Sequence, residues 1–302
     1  MKAKRAIQPR LSGRAYAFGA VLLMSLAPIF VKIGFRQALN PVPLLTLRFW
    51  VAALAYWLFL GVYNRPSLRL ERKHLKPLVV VSVFFTLAYL LYYLALVYVD
   101  ASVAHMLAAI NPSVVLLLLF RDGRSVGRRS VVRLLLVLLG LYLLVGPGGD
   151  INPLGVALGL GMTVFYGAFL FWVEKYLDQV SALTIGLYLD SFVAILFTLI
   201  YLVQYGAWQP ISGYGWLVIL FTGLLSTALG HFLYVSAVKQ IGSGETALIN
   251  PFETVFTVLW ALIFLGDRLS GWQWLGGAMI LLSAFLIGRQ VAVRSVPASR
   301  PN

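Results

Sequence analysis

The residues of this chain that could do chemistry are few, and most sit in apolar surroundings. Glu253 lies within the run PFETVFTVLWALIFL. A carboxylate in that setting pairs, binds a cation or takes up a proton. His105 and His231 lie in two further apolar runs. Histidine titrates near neutrality, so both are candidate proton carriers, although a lone histidine also serves as a hydrogen-bonded structural group. Tyr89, Tyr92 and Tyr93 share one run, Tyr234 follows His231 in another, and Tyr166 lies in a third. Together they offer aromatic faces and phenol oxygens to an amphipathic ligand. Asn111 and Asn250 stand in two Ile-Asn-Pro triplets, Ile110–Pro112 and Ile249–Pro251. Proline in a helix loses one hydrogen bond and clashes with the carbonyl four residues earlier. Pro112 and Pro251 should therefore free the carbonyls of Ala108 and Ala247, and the asparagines can satisfy those carbonyls or bind a ligand. Pro28 is a third candidate hinge.

Enzymatic chemistry finds no support in these residues. There is no cysteine, hence no disulfide and no thiolate. No His-Glu-x-x-His, phosphate-binding loop or metal-ligand spacing occurs, so no metal or other cofactor is expected and ATP is not the expected energy source. GPGGD (Gly146–Asp150) follows a helical run and reads as a turn.

The elements that must position these groups are membrane helices. About 20 apolar residues cross about 30 Å of hydrocarbon, and ten such stretches fill the 302 residues: 15–35, 43–63, 78–98, 101–120, 131–147, 154–173, 182–203, 216–238, 246–265 and 272–289. The longest connection, 64–77, leaves no room for a soluble domain. The chain is 61% hydrophobic and 11% charged with mean hydropathy +0.89, against about 25% charged for soluble domains. The first stretch follows a basic segment but is too long for a signal peptide's apolar region, and reads as a retained span.

A formal charge of +14 would suggest nucleic acid on a soluble protein. Here twenty of the 24 Lys and Arg fall before span 1, between spans 2 and 3, around the 4–5 connection, at Lys175 and Lys239, and in the tail. Those segments alternate to one side, which is the positive-inside signal. It predicts both termini in the cytoplasm, an even span number and basic loops that touch anionic lipid, with no nucleic-acid partner. A shift of 142 residues places Leu47, Val51, Ala52 and Leu54 on Leu189, Val193, Ala194 and Leu196, and Tyr92 and Ala95 on Tyr234 and Ala237. Five spans per half is an odd number, so the second half must enter the membrane inverted. The expected fold is an all-α integral membrane protein of ten transmembrane helices, built as two inverted five-helix repeats, 1–147 and 148–302.

The sequence resembles the EamA-like ten-span exporters of the drug/metabolite transporter superfamily. The resemblance is carried by LTLRFWVAAL (Leu45–Leu54), YYLALVYVDAS (Tyr92–Ser102) and ETVFTVLWALIFLGDRLSGWQWLGGAMILL (Glu253–Leu282). LGDRLS (Leu265–Ser270) is similar to the family's turn between spans 9 and 10. Thr254 stands where the family usually has proline, and FRDGRSVGRR (Phe120–Arg129) is more basic than usual. The resemblance implies a secondary carrier with a central cavity lined by spans 3, 4, 8 and 9 together with 1 and 6.

The residues can also be placed directly. Span 8 carries a stripe of Gly223, Thr227, Gly230, Tyr234 and Ala237, opposite Leu220, Leu224, Leu225 and Leu229. The stripe is either a helix seam or a cavity wall; the glycines favour the seam, His231 and Tyr234 the wall. Asp190 falls toward the cytoplasmic side and its counterpart Arg48 near the external surface, out of contact with each other. Lys32 and Asp100 also fall toward the external end, so Asp100 can pair with Lys32 or Arg48. No Lys or Arg is expected at the depth of Glu253. The substrate pathway is expected at Tyr89, Tyr92, His105, Asn111, Tyr166, His231, Tyr234, Asn250 and Glu253. The expected activity is proton-linked export of a small molecule, an amino acid or similar amphipathic amine, across a prokaryotic cytoplasmic membrane. A sugar-phosphate or nucleotide-sugar antiporter and a non-transporting scaffold stay open as alternatives.

Overall fold

The computed structural model describes residues 2–111, 113–114, 117–118, 128–145, 151–177, 179–207, 210–247 and 249–295. Its helices are α1 (Lys2–Arg36), α2 (Pro41–Tyr63), α3 (Arg72–Tyr98), α4 (Ala101–Ala108), α5 (Arg128–Val145), α6 (Pro153–Tyr176), α7 (Ala182–Tyr205), α8 (Gly213–Leu220), α9 (Gly230–Ala247), α10 (Pro251–Trp260) and α11 (Gly271–Ser295). A 3₁₀ turn covers Arg65–Leu68. Two π-helical segments, Phe221–Leu229 and Ala261–Leu265, continue α8 into α9 and extend α10. No strand occurs among the described residues. Six helical stretches there are long and apolar enough to cross a membrane: Gly13–Arg36, Pro41–Tyr63, Arg72–Tyr98, Pro153–Val173, Leu183–Tyr205 and Gly213–Tyr234. Leu135–Leu144 and Pro251–Leu265 are shorter apolar helices.

Local chemistry sets the ends of these elements. Prolines 41, 153 and 251 open their helices, where the missing N–H costs nothing. Asn152, Ser181 and Ser212 cap theirs with side-chain oxygens that accept from the N–H of Leu154, Thr184 and Gly215. Gly266, at φ 71°, closes the helix ahead of the LGDRLS turn, a conformation that suits a residue without Cβ.

In lipid, helices associate through close packing more than through apolar burial. α3 lies along α6, α1 along α9, α5 along α11, α2 along α7, and α4 along α10. The α5–α11 contact is backbone on backbone: a Cβ on Gly276 would stand 2.5 Å from the Gly140 carbonyl oxygen. Trp50 and Trp57 of α2 donate to Thr198 and Ser191 of α7. Leu58, Val62, Leu138 and Val203 face outward, as lipid-facing positions do.

Three features depart from the sequence reading. Residues 246–265 do not form one kinked helix: α9 continues to Ala247, Ile249 and Asn250 turn, and Pro251 starts α10. The physical reason is proline's preference for the first helical position over the interior. Glu253 thus stands in the first turn of α10 instead of mid-helix. The 64–77 connection is shorter than expected, because α3 begins at Arg72 and carries Pro77 inside it. The span 8 stripe was counted at α-helical spacing, whereas its first half is π-helical and turns its residues differently. Its glycines meet other helices, Gly223 packing on Val51 and the Arg48 backbone and Gly230 on Met24. The opposite face, Leu220, Leu224, Leu225 and Leu229, is exposed. α1 stays helical through Pro28. Pro112 lies outside the described residues.

Candidate functional site

Two chain interruptions face each other inside the bundle. α4 stops at Ala108, Ala109 and Ile110 form a turn, and helix resumes at Asn111. α10 starts at Pro251 directly after the turn at Ile249 and Asn250. Pro251–Leu265 rises only about 22 Å at 1.5 Å per residue, short of the roughly 30 Å of hydrocarbon. Irregular backbone within a membrane is tolerated where it borders protein or water.

Tyr92 of α3, His105 of α4 and Glu253 of α10 meet across these interruptions. The Tyr92 hydroxyl lies 2.9 Å from His105 Nδ1, and His105 Nε2 lies 3.9 Å from Glu253 Oε1. The first distance is a hydrogen bond and the second a near contact. A Tyr92 hydroxyl that donates to Nδ1 leaves an Nε2–H directed at Glu253. The Glu253 side chain keeps 25% of its surface although its neighbours are interior groups. Tyr89, Tyr92, Tyr166, Tyr234, Asn111 and Asn250 are likewise half-buried. Tyr234 accepts from Asn250 Nδ2 at 3.0 Å. Tyr166 packs against Phe85 and Phe169. The side-chain carbonyls of Asn111 and Asn250 are buried with no partner among the described residues.

Arg48 overturns its sequence placement. It is 3% exposed and reaches inward from α2. Its Nε donates to Thr227 Oγ1 at 2.7 Å and its Nη1 to the Tyr93 hydroxyl. The guanidinium also lies 5.9 Å from the Tyr89 ring centre and 5.6 Å from that of Tyr93, within cation–π range. Its charge is in electrostatic range of both Glu253 and Asp190. The sequence reading judged depth from the Cα, but a long side chain carries its head group away from it. Glu253 therefore has a cation in electrostatic range, and Arg48 bonds Thr227 and Tyr93 in place of Asp100.

Asp190 of α7 is fully buried, and both carboxyl oxygens lack a hydrogen-bond partner among the described residues. His231 Nδ1 is the near group, 3.9 Å from Oδ2. His231 therefore lies with Asp190, apart from the Tyr92–His105–Glu253 set.

A further group closes the expected external end. Lys32 donates to the Val99 carbonyl at 2.6 Å, Arg36 to the Leu265 carbonyl at 3.1 Å, and Ser102 to Asp267 through its N–H and hydroxyl at 3.1 and 2.7 Å. These bonds tie α1, the α3–α4 turn and the LGDRLS turn together. Asp100, in the α3–α4 turn, has its carboxyl held above the ordinary range by partial burial and by the Asp267 charge. In the sequence, LGDRLS offers only a glycine directly before a carboxylate; the structure puts that glycine at φ 71° and aims the carboxylate at Ser102. At the other end, Thr184 and Tyr188 of α7 donate to the Ser67 and Leu68 carbonyls.

Two grooves lie away from the Glu253 and Asp190 groups. One of about 460 Å³ is apolar and lined by Phe30, Phe221 and outward leucines of the 213–229 stretch; one of about 290 Å³ lies between Arg65–His74 and Gln179–Thr184.

The model of the EamA-like transporter family matches this chain twice, over residues 11–146 and 153–289. A Bacillus subtilis (strain 168) protein described as "Uncharacterized transporter YcbK" is 22% identical over 284 residues, 89% of this chain and 90% of its own length. A Sinorhizobium protein, "Uncharacterized transporter in cobO 3'region", is 31% identical over 85 residues, 27% of this chain and 60% of that protein. One crystal structure superposes with a TM-score of 0.64 over 94% of this chain and 98% of its own at 19% identity, a likeness of fold. A multi-pass helical membrane protein matched by this family along both halves moves small molecules across membranes: the chain belongs to the EamA-like transporter family.

Proposed function

We propose that the chain is a ten-helix secondary carrier that exports small zwitterionic metabolites, amino acids or similar amphipathic amines, by alternating access across the cytoplasmic membrane of a prokaryote. Its units are two inverted repeats, 1–147 and 148–302. The helix pairing supports this: exchanging the halves turns the α3–α6 contact into α9–α1 and maps α2–α7, α4–α10 and α5–α11 onto themselves. The charge bias of the loops supports cytoplasmic termini, which reporter fusions at residue 302 and within 148–153 check by giving opposite sides.

One observation carries the substrate class: a guanidinium and a carboxylate, Arg48 and Glu253, share one interior region walled by Tyr89 and Tyr92. A zwitterion places its carboxylate on Arg48 and its ammonium on Glu253 and the unpartnered Asn111 and Asn250 carbonyls. The tyrosine faces suit an apolar side chain. A phosphate dianion would meet one cation and the opposing Glu253, which disfavours the sugar-phosphate reading. Protons are the coupling ion in this reading, exchanged at Glu253 through His105. Proteoliposomes loaded with a labelled amino acid mixture test it. Efflux should be saturable and should change with an imposed pH gradient. Equal leakage from protein-free vesicles would remove the proposal.

A further inference from the structure

We propose that Asp190 and His231 form a second proton-binding site that sets the field of Arg48. Its role as a coupling device rests on the zwitterion reading above; its existence does not.

The geometry begins with Asp190. It is 0% exposed on α7, and neither carboxyl oxygen receives a hydrogen bond from the described residues. An ionised carboxylate without donors in a dry interior costs several kcal/mol or more, so the site calls for a proton or a cation. His231 approaches from α9, its Nδ1 3.9 Å from Oδ2. Closing that gap by about 1 Å makes a hydrogen bond. One added proton then bridges the pair, on carboxyl oxygen or on imidazole nitrogen, and takes it from −1 to neutral without moving electrons. The other charged or titratable groups in range of Asp190 are Arg48 and Tyr56 from α2 and Tyr89 from α3. No third His, Asp or Glu completes a metal set among the described residues, which favours a proton over a divalent ion.

The consequence falls on Arg48. With the pair deprotonated, Asp190 offsets part of the guanidinium's positive field. With the pair protonated, that field is available to a substrate carboxylate. Proton and anionic group therefore bind cooperatively here, and each strengthens the other by the same factor. Rising pH should weaken substrate binding through this site, whereas falling pH weakens it through Glu253, which loses its charge to the ammonium's cost. The two sites together give a bell-shaped pH profile.

Infrared difference spectra of the protein in lipid nanodiscs, stepped between about pH 5 and pH 8, test the site with no substrate present. Asp190→Asn should abolish, and His231→Gln should abolish or shift, a proton-dependent carboxyl or carboxylate band that Glu253→Gln leaves in place. Should Asp190→Asn fail to insert, His231→Gln carries the test. A band that survives both substitutions, or a signal that answers to sodium and not to pH, overturns the proposal. Binding of the labelled amino acid mixture reads the coupling separately: the wild type should weaken about tenfold on the alkaline side, and Asp190→Asn should not. A lost band with no amino acid binding in the wild type would leave the proton site standing and remove the zwitterion reading.

Discussion

Arg48 and Asp190 occupy equivalent places in the two halves of the chain, 142 residues apart, and so do Tyr89 and His231. In the structure Arg48 lies over Tyr89, and Asp190 lies beside His231. The same position in each half thus puts a charge against an aromatic ring, but the chemistry is opposite. Arg48 is a fixed cation with two hydroxyl partners, and it cannot be deprotonated in a protein. Asp190 is a titratable anion with none among the described residues. One half holds a permanent anchor and the other a group whose charge can change.

Replacing each charge by its neutral analogue is the sharpest test. Arg48→Gln should lose about 3 kcal/mol of stability, since two bonds to a buried charge disappear and their hydroxyls are left unpaired. Asp190→Asn should lose no stability and should gain some at alkaline pH, because no hydrogen bond is there to break and a buried carboxylate without donors is itself costly. Thermal unfolding in detergent reads both; equal losses would dissolve the contrast.

Gly276→Ala asks whether the contrast belongs to the moving core. The added Cβ would run into backbone at Gly140 and Leu144, and overpacking costs about 1–3 kcal/mol. The fraction that folds should transport at the wild-type rate, since α5 and α11 carry none of the site. A transport defect in folded protein would assign the α5–α11 pair a role in the cycle.

Glu253→Gln should insert normally and lose the acid side of the pH profile, a change of about tenfold in rate over the range where histidine titrates. An unchanged profile would mean that Glu253 only packs. Thr227→Val removes the acceptor of Arg48 Nε at similar volume and should cost about 1 kcal/mol, with a weaker grip on the substrate carboxylate seen as a raised KM.

The smallest effect is expected beside the Ser102–Asp267 tie. Asp100 titrates above the ordinary carboxylate range there, so its ionised form opposes the folded closure at neutral pH. Asp100→Asn should raise the melting temperature slightly near neutrality. The gain should shrink on acidification, as the wild-type carboxyl takes up its own proton. A gain that is constant with pH would rule out the charge as its cause.

Much of the fold is legible because the membrane constrains it. Apolar length marks ten stretches, and six of them stand as helices long and apolar enough to cross a membrane, since hydrocarbon admits few exceptions to that rule. The two Ile-Asn-Pro triplets announced interruptions, and both occur at 109–110 and 249–250. What proline does depends on whether a helix passes through it or starts at it, and the sequence around Pro251 reads equally well both ways. Arg48 was misplaced because Cα register says little about where a long side chain ends. The Asp267–Ser102 tie joins residues 165 apart, with no periodicity to announce it.

The π segment at Phe221–Leu229 is confined to the second half, since the equivalent residues 79–87 are ordinary α-helix within α3. Thr227 bonds back five residues to the Thr222 carbonyl there, and its hydroxyl receives Arg48. Such a segment is a dislocation in the sense used for crystals. Passing it along by one residue re-aims only the residue it crosses, while the helix on either side stays seated. The bond from Arg48 to Thr227 pins this register fault within the segment, so the second half carries a local slack that the first half lacks.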